Sequence, residues 1–263
     1  MFRHLHFTGP FTVRLPNGRD LTLHSWGNRV ENELAWRGWD GHEPDERRRW
    51  AAMVALGGDV LDIGANTATF AVTAKALAPQ ARVFAFEPIE RIAARAARNV
   101  EVSGLDVEMV RAAVGREAGE LPIFDPGGEN AYSASLDPDF LPGTKDSYTV
   151  PVVSVDGFVQ ERGLDPGAIK LDVEGYEGEA IAGATRTLER GRCVILCEWL
   201  GSSEANRDAA RLLAERDYVA LDVVTLEPED LTEGKGYGER NVLLAHRARA
   251  ETIRAEWPRF ERA

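Results

Sequence analysis

Apolar and polar residues follow two different rhythms along this chain. Near the start, Phe11, Val13 and Leu15 recur at every second position, as do Leu21 and Leu23, around an Asn17-Gly18 pair. That alternation predicts a hairpin closed by a two-residue turn. Helical spacing follows. Residues 28–39 place Val30, Leu34 and Trp36 along one side. Residues 44–56 open on Pro44, carry Asp45 and Glu46 in the first turn, and present Trp50, Met53 and Val54 as the apolar face. These pieces are expected to flank or cap the rest of the molecule.

From Asp59 onward, short apolar runs alternate with longer periodic segments. Strands are predicted at 60–63, 82–86, 107–111, 168–173, 192–199, 218–224 and 241–245, and helices at 67–77, 88–102, 177–189 and 204–215. Repeated strand–helix units imply an α/β fold, with a mostly parallel sheet, helices on both faces and an N-terminal hairpin and helical extension. Residues 115–149 break the pattern with Pro122, Pro126-Gly127-Gly128, Pro138 and Pro142-Gly143, apart from a short strand at 120–124. Tyr132, Phe140, Leu141 and Tyr148 give this stretch surface to pack, so it reads as a binding loop or lid.

Composition narrows the field. An apolar share of 44% over 263 residues supports a sizeable core, and no apolar run reaches membrane-spanning length. The first residues lack the apolar core of a signal peptide, so a cytoplasmic protein is expected. A net charge of −12 argues against a nucleic-acid partner. Cys193 and Cys197 lie four residues apart on one predicted strand, roughly 13 Å from each other, and read as buried thiols.

Two junctions carry the chemistry. In Val60-Leu61-Asp62-Ile63-Gly64-Ala65-Asn66 an apolar strand ends in a carboxylate and a glycine before a helix, which exposes backbone N–H groups to a ligand. Glu87 ends the next predicted strand, where an acid can accept both hydroxyls of a ribose or cap the helix behind it. A dinucleotide would call for Gly-x-Gly-x-x-Gly, yet only Gly64 of that set is present, and Asp62 would repel a pyrophosphate. S-adenosylmethionine (SAM) has no phosphate and carries an ammonium and a sulfonium, so the carboxylate favours it. An NAD(P)-dependent oxidoreductase and a SAM-binding protein without activity are the rival readings.

The second junction is Ile169-Lys170-Leu171-Asp172-Val173-Glu174-Gly175, again a strand leading into a helix. Asp172 and Glu174 can take a proton from a hydroxyl nucleophile, or hold a divalent metal that acidifies it; no metal site is predicted. Glu177 and Glu179 fit a helix N-terminus. Of five histidines, His42, just before the helix at Pro44, is a third candidate base.

Taken together, Leu61-Asp62-Ile63-Gly64-Ala65-Asn66-Thr67, Phe86-Glu87-Pro88, Ala112-Ala113-Val114-Gly115 and Ile169–Gly175 resemble the FkbM-type SAM-dependent methyltransferases over roughly Glu43 to Ala245. The resemblance implies a class I methyltransferase (Rossmann-like) sheet and methyl transfer from SAM, giving S-adenosylhomocysteine. The acceptor it implies is a hydroxyl of a sugar, polyketide or similar small molecule. It places Asp62, Gly64, Ala65 and Asn66 at the methionine end, Glu87 and Pro88 at the ribose and Ala113 beside the adenine. Asn130, Tyr132 and Ser133, with Ser135, fall where the family meets its substrate. Ala68 stands where the family has glycine and is expected to fit within the helix. The chain would then divide into a hairpin and helical cap (1–56), a SAM-binding methyltransferase domain (57–246, with 115–149 as substrate loop) and a C-terminal helix (247–263). A monomer or homodimer without nucleic-acid or membrane partners is expected.

Overall fold

A computed structural model of the protein describes residues 6–127, 134–137, 147–200, 203–232 and 240–256. The chain opens with β1 (Thr8–Arg14), β2 (Asp20–Trp26), α1 (Arg29–Arg37) and α2 (Pro44–Ala55). Next come β3 (Asp59–Ile63), α3 (Thr69–Leu77), β4 (Val83–Phe86), α4 (Glu90–Ser103) and β5 (Glu108–Val110). A side branch follows, made of β6 (Ala113–Val114), β7 (Gly119–Phe124), β8 (Ser147–Val153) and α5 (Val155–Arg162). The chain then returns through β9 (Pro166–Leu171), α6 (Glu177–Ala182), α7 (Thr185–Glu189), β10 (Val194–Trp199) and α8 (Glu204–Glu215). It closes with β11 (Tyr218–Asp222), β12 (Pro228–Glu229), β13 (Arg240–His246) and α9 (Arg247–Glu256).

The main sheet has the order β12-β11-β13-β10-β9-β3-β4-β5. Strands β5, β4, β3, β9 and β10 run parallel, and β13 runs antiparallel between β10 and β11. Strand order reverses at β3, the point at which open α/β sheets bind ligands. Side chains of period two divide the core into two layers. Val60, Ala85, Ala168, Val194 and Leu196 face a layer that also holds the hairpin, α2, α3 and α9. Leu61, Phe84, Phe86, Ile169 and Ile195 face the layer under α5 to α8. The sheet is covered on both sides, and the N-terminal extension shares one core with it.

The structure departs from expectation at several elements. The hairpin turn holds three residues rather than two. Leu15 N–H donates to Arg19 O at 2.8 Å and Gly18 N–H to Leu15 O at 2.9 Å, with Gly18 at φ +80°. Pro16 supplies the fixed φ of the first turn position, so the left-handed residue comes third. On α1, Glu31 and Leu34 are buried, while Trp36 is 42% exposed. The helix expected over 177–189 breaks into α6 and α7 at Gly183, where a Cβ would meet the Gly115 carbonyl at 2.1 Å. Strand β8 escaped the sequence reading because of Pro151, which lies opposite Glu120 of β7 and outside the short stretch paired with β6. Cys193 and Cys197 are free and buried. Among the described residues no helix is long and apolar enough to cross a membrane.

Candidate active site

The carboxyl ends of β3, β4, β9 and β10 border a cavity of about 360 Å³, within the range of small-molecule sites. Its first wall is the turn after β3. The N–H groups of Gly64 and Ala65 both donate to the Phe86 carbonyl of β4, at 3.1 and 2.8 Å. Gly64 has φ +77°, and a Cβ there would sit 1.7 Å from the Asp172 carbonyl oxygen. Glycine is therefore required twice over, by its own backbone angle and by the crossing of β9. Asn66 (φ +47°) and Ala68 (φ +60°) continue the turn in the left-handed region, which costs a non-glycine residue about 1–2 kcal/mol.

Ala68 does not sit inside the helix as expected. It is the N-cap of α3, buried and without a side chain to cap the helix, so α3 starts at Thr69 rather than Thr67. Asp62 supplies the missing acceptor from the neighbouring strand. Its Oδ2 accepts the Ala71 N–H in the first turn of α3 at 2.8 Å. Burial pushes the Asp62 carboxyl up to about 7, against the pull of Lys170.

Glu87 follows β4 and is likewise buried. Its Oε1 accepts the N–H of Ile89, the N-cap of α4, at 2.9 Å, and its Oε2 accepts the Asn66 N–H at 3.1 Å. Burial raises it to about 8 despite these two donors. One carboxylate thus ties the two ligand-facing turns together, and each oxygen keeps a lone pair for a further donor. Beside it, Phe86, Ile89, Ala112, Ala113, Val114 and Ile123 form an apolar flank of the cavity, next to Pro88 and Ala65.

The opposite wall is acidic. One oxygen from each of Asp172, Glu174 and Glu198 lies within 4.8 Å of the others. Glu198 was not expected here. The β9–β10 register pairs Leu171 with Cys197, so the next pair along the strands sets Asp172 beside Glu198. Burial, then the neighbouring Asp172 charge and hydrogen bond, push Glu198 up to about 10. Beneath them Lys170 is buried, with Nζ 2.8 Å from Asp172 Oδ2 and over the Phe70 ring at 4.9 Å. Burial would lower Lys170, but Asp172 and Glu43 outweigh it and raise it. Glu174 has φ +53°, and the Ser135 hydroxyl donates to its carbonyl at 2.5 Å. Glu177 stays with the helix, its Oε1 accepting the Gly175 N–H at 2.9 Å, and Glu179 pairs with Arg116 at 2.9 Å.

The third wall comes from the N-terminal extension, through Arg29, Val30, His42 and Glu43. His42 is held at both nitrogens, Nδ1 by Glu33 at 2.8 Å and Nε2 by Glu43 at 3.3 Å. Burial lowers the imidazole, yet these two carboxylates outweigh it and raise it. Glu43 is driven down to about 2: burial opposes the shift, and His42 and Lys170 overcome it. Behind this wall the buried Arg47 donates to the His42 carbonyl at 2.8 Å and to Thr69 Oγ1 at 3.2 Å.

Asp62, Gly64, Ala65, Asn66, Glu87, Pro88, Ala113, Asp172, Glu174 and His42, all singled out from the sequence, line this one cavity. Asn130, Tyr132 and Ser133 lie outside the described residues. Against that geometry, residues 62–220 match the model of the methyltransferase FkbM domain. The chain belongs to the FkbM methyltransferase family. Its sheet is the class I methyltransferase sheet that the sequence resemblance implied.

Among curated proteins, the chain is 30% identical over 159 residues to the hexuronic acid methyltransferase AglP of Haloferax volcanii, a match covering 60% of this chain and 62% of that protein. Among solved structures, the FkbM methyltransferase of Methylobacillus flagellatus has a TM-score of 0.45 at 14% identity, covering 72% of this chain and 44% of that one. Fibrillarin of Aeropyrum pernix has a TM-score of 0.43 at 16% identity, covering 92% of this chain and 96% of that one.

Sequence reading missed Lys170, Glu198, Glu43 and Arg29. For Lys170 a signal existed, since a lone cation inside Ile169-Lys170-Leu171 demands a buried partner. Glu198 needed the strand register. Arg29 and Glu43 needed the packing of the N-terminal extension.

Proposed function

We propose that this protein is a SAM-dependent O-methyltransferase that methylates a hydroxyl of a small polyhydroxylated molecule, with sugars and sugar acids the first acceptors to test. The observation that carries this reading is the joining, in one cavity, of a nucleoside-type pocket and an acidic wall. Glu87 suits the two hydroxyls of a ribose, and the flank around Ala113 suits an adenine. Asp62 and the turn from Gly64 to Asn66 suit an aminocarboxylate tail bearing an ammonium. Among the described residues six acidic side chains line the cavity, at Glu43, Asp62, Glu87, Asp172, Glu174 and Glu198, which suits a cationic, phosphate-free ligand better than a diphosphate.

SAM supplies an electrophilic methyl group on a positively charged sulfur. The protein's part is to hold the acceptor oxygen in line with that carbon, and positioning of this kind is worth up to about 7–11 kcal/mol. Asp172 and Glu174 orient the acceptor hydroxyl and take its proton as the new bond forms, a further gain of about 10²–10⁴-fold. His42 is assigned to the wall rather than to proton transfer. Both its nitrogens are already engaged by the carboxylates of Glu33 and Glu43, which leaves neither turned to an acceptor. The relative AglP is named for hexuronic acid, which supports trying uronic acids beside neutral sugars.

The test combines calorimetry with mass spectrometry. SAM is expected to bind the wild type, and Glu87→Ala to lose at least about 100-fold in affinity, the weight of two buried hydrogen bonds to the ribose hydroxyls. A panel of hydroxylated metabolites incubated with SAM is expected to yield one class of product heavier by a methyl group. Unchanged SAM affinity in Glu87→Ala would remove the ribose assignment.

A further inference from the structure

Asp172 is gripped from two directions by side chains that the family resemblance did not assign, and we infer that Lys170 and Glu198 are positioning residues that fix Asp172 for methyl transfer. The inference rests on the reading that this cavity is the methyl-transfer site.

The grip follows from strand geometry. Asp172 follows directly on β9, two positions after Lys170, so the two side chains project to the same side. Lys170 Nζ stands 2.8 Å from Asp172 Oδ2. On the neighbouring strand, Glu198 occupies the place beside Asp172, with one carboxyl oxygen of each within 4.8 Å of the other. Two carboxyl groups this close share a site most favourably when one of them keeps its proton. Asp172 is therefore bonded to an ammonium on one side and flanked by an acid on another, which restricts rotation about its Cβ–Cγ bond. It does so as part of the cavity lining.

Lys170 is costly where it stands. A buried ammonium loses several kcal/mol of hydration, which a pair repays only in good geometry, and an apolar residue would fill the position at less cost. The neighbours explain its retention. Asp62 lies opposite Lys170 on β3, Phe70 stacks under its ammonium, and the Glu43 charge acts on it from the N-terminal wall. Lys170 thus stands where the nucleoside pocket, the acidic wall and the N-terminal extension meet, and the Asp172 carboxylate is what it holds at the cavity surface.

The experiment measures initial rates of methyl transfer from SAM to methyl glycosides of glucose and of glucuronic acid, together with SAM affinity by calorimetry and melting temperature. Lys170→Met is expected to lower kcat at least about 100-fold with KM for SAM changed by less than about threefold, the split typical of lost orientation. Lys170→Arg is expected to restore most of that loss, because it keeps the cation beside Asp172. Glu198→Ala is expected to lose more of kcat than Glu198→Gln, whose amide still donates to Asp172. If Lys170→Met fails to fold, Lys170→Arg and the two Glu198 variants carry the test by themselves. A Lys170→Met enzyme that folds and keeps its kcat overturns the inference, as does equal loss in the two Glu198 variants. Wild-type protein that binds SAM yet methylates neither glycoside overturns the hydroxyl reading on these sugars, and the inference with it.

Discussion

The two sides of the cavity hold their acids by opposite means. On the nucleoside side, Asp62 and Glu87 are satisfied by backbone N–H groups, those of Ala71, Asn66 and Ile89. On the side proposed for the acceptor, Asp172 is met by Lys170 and flanked by Glu198. Backbone donors are supplied by the turns themselves and do not change with sequence. Side-chain partners are chosen residue by residue. The contrast teaches that the first half is fixed by the path of the chain, while the second depends on which residues neighbouring strands bring into register.

Substitution at Gly64 should break both halves at once. Gly64→Ala drives a methyl group into the Asp172 carbonyl and is expected to cost about 4 kcal/mol or more, seen as loss of the cooperative melting transition.

The next largest effects should separate the halves. Glu174→Gln and Asp172→Asn are each expected to cut turnover by about 10²–10⁴-fold while SAM affinity by calorimetry stays nearly unchanged. Glu87→Ala should show the reverse order, with binding lost first. Normal turnover in Glu174→Gln would remove it from proton transfer.

A smaller effect concerns stability and pH. Glu87 titrates near 4.5 in the unfolded chain and near 8 when folded. Between those values the folded state binds the extra proton, so this group's contribution to stability falls as pH rises. Asp62, raised to about 7, acts in the same direction. Glu87→Gln cannot lose a proton, so its melting temperature relative to wild type should climb from about pH 5 to about pH 8.5, by roughly 2–4 °C per kcal/mol. A flat difference across that range would show that Glu87 does not carry the shift. The smallest expected effect is at Ala68, where Ala68→Gly relieves a left-handed alanine and should add about 1 kcal/mol, read as a melting temperature raised by roughly 2–4 °C.

The same contrast explains which parts of the molecule were legible in the sequence. Strands β3, β4, β9 and β10 announce themselves as apolar runs, and the first three carry Asp62, Glu87 and Asp172 at or just past their carboxyl ends. The turn chemistry at Gly64 lies within seven consecutive residues. Local signals therefore picked out most of the cavity wall built from β3 and β4. The rest of the cavity draws Arg29, His42 and Glu43 from the N-terminal extension and Glu198 from β10, and no local pattern reports such a meeting. Glu31 illustrates the difficulty. A carboxylate at helical spacing reads as solvent-facing, yet it is buried against Thr67 and raised by that burial. Ala68 was misplaced for a related reason, since helix propensity says nothing of an acceptor supplied by Asp62 on the preceding strand.

One further consequence lies in Asn99 of α4. Its amide donates to the Thr67 carbonyl at 2.8 Å, and its oxygen accepts the His24 N–H of β2 at 2.8 Å. A single side chain therefore rivets the opening hairpin to the turn between β3 and α3, which walls the cavity. The hairpin and α1, which precede the family-matched residues, are mechanically joined to the proposed donor pocket, and α1 adds Arg29 and Val30 to the cavity lining. Swapping this leading segment between relatives would be expected to redirect acceptor choice only where the graft carries a matching rivet; without one, the price would be paid in donor binding.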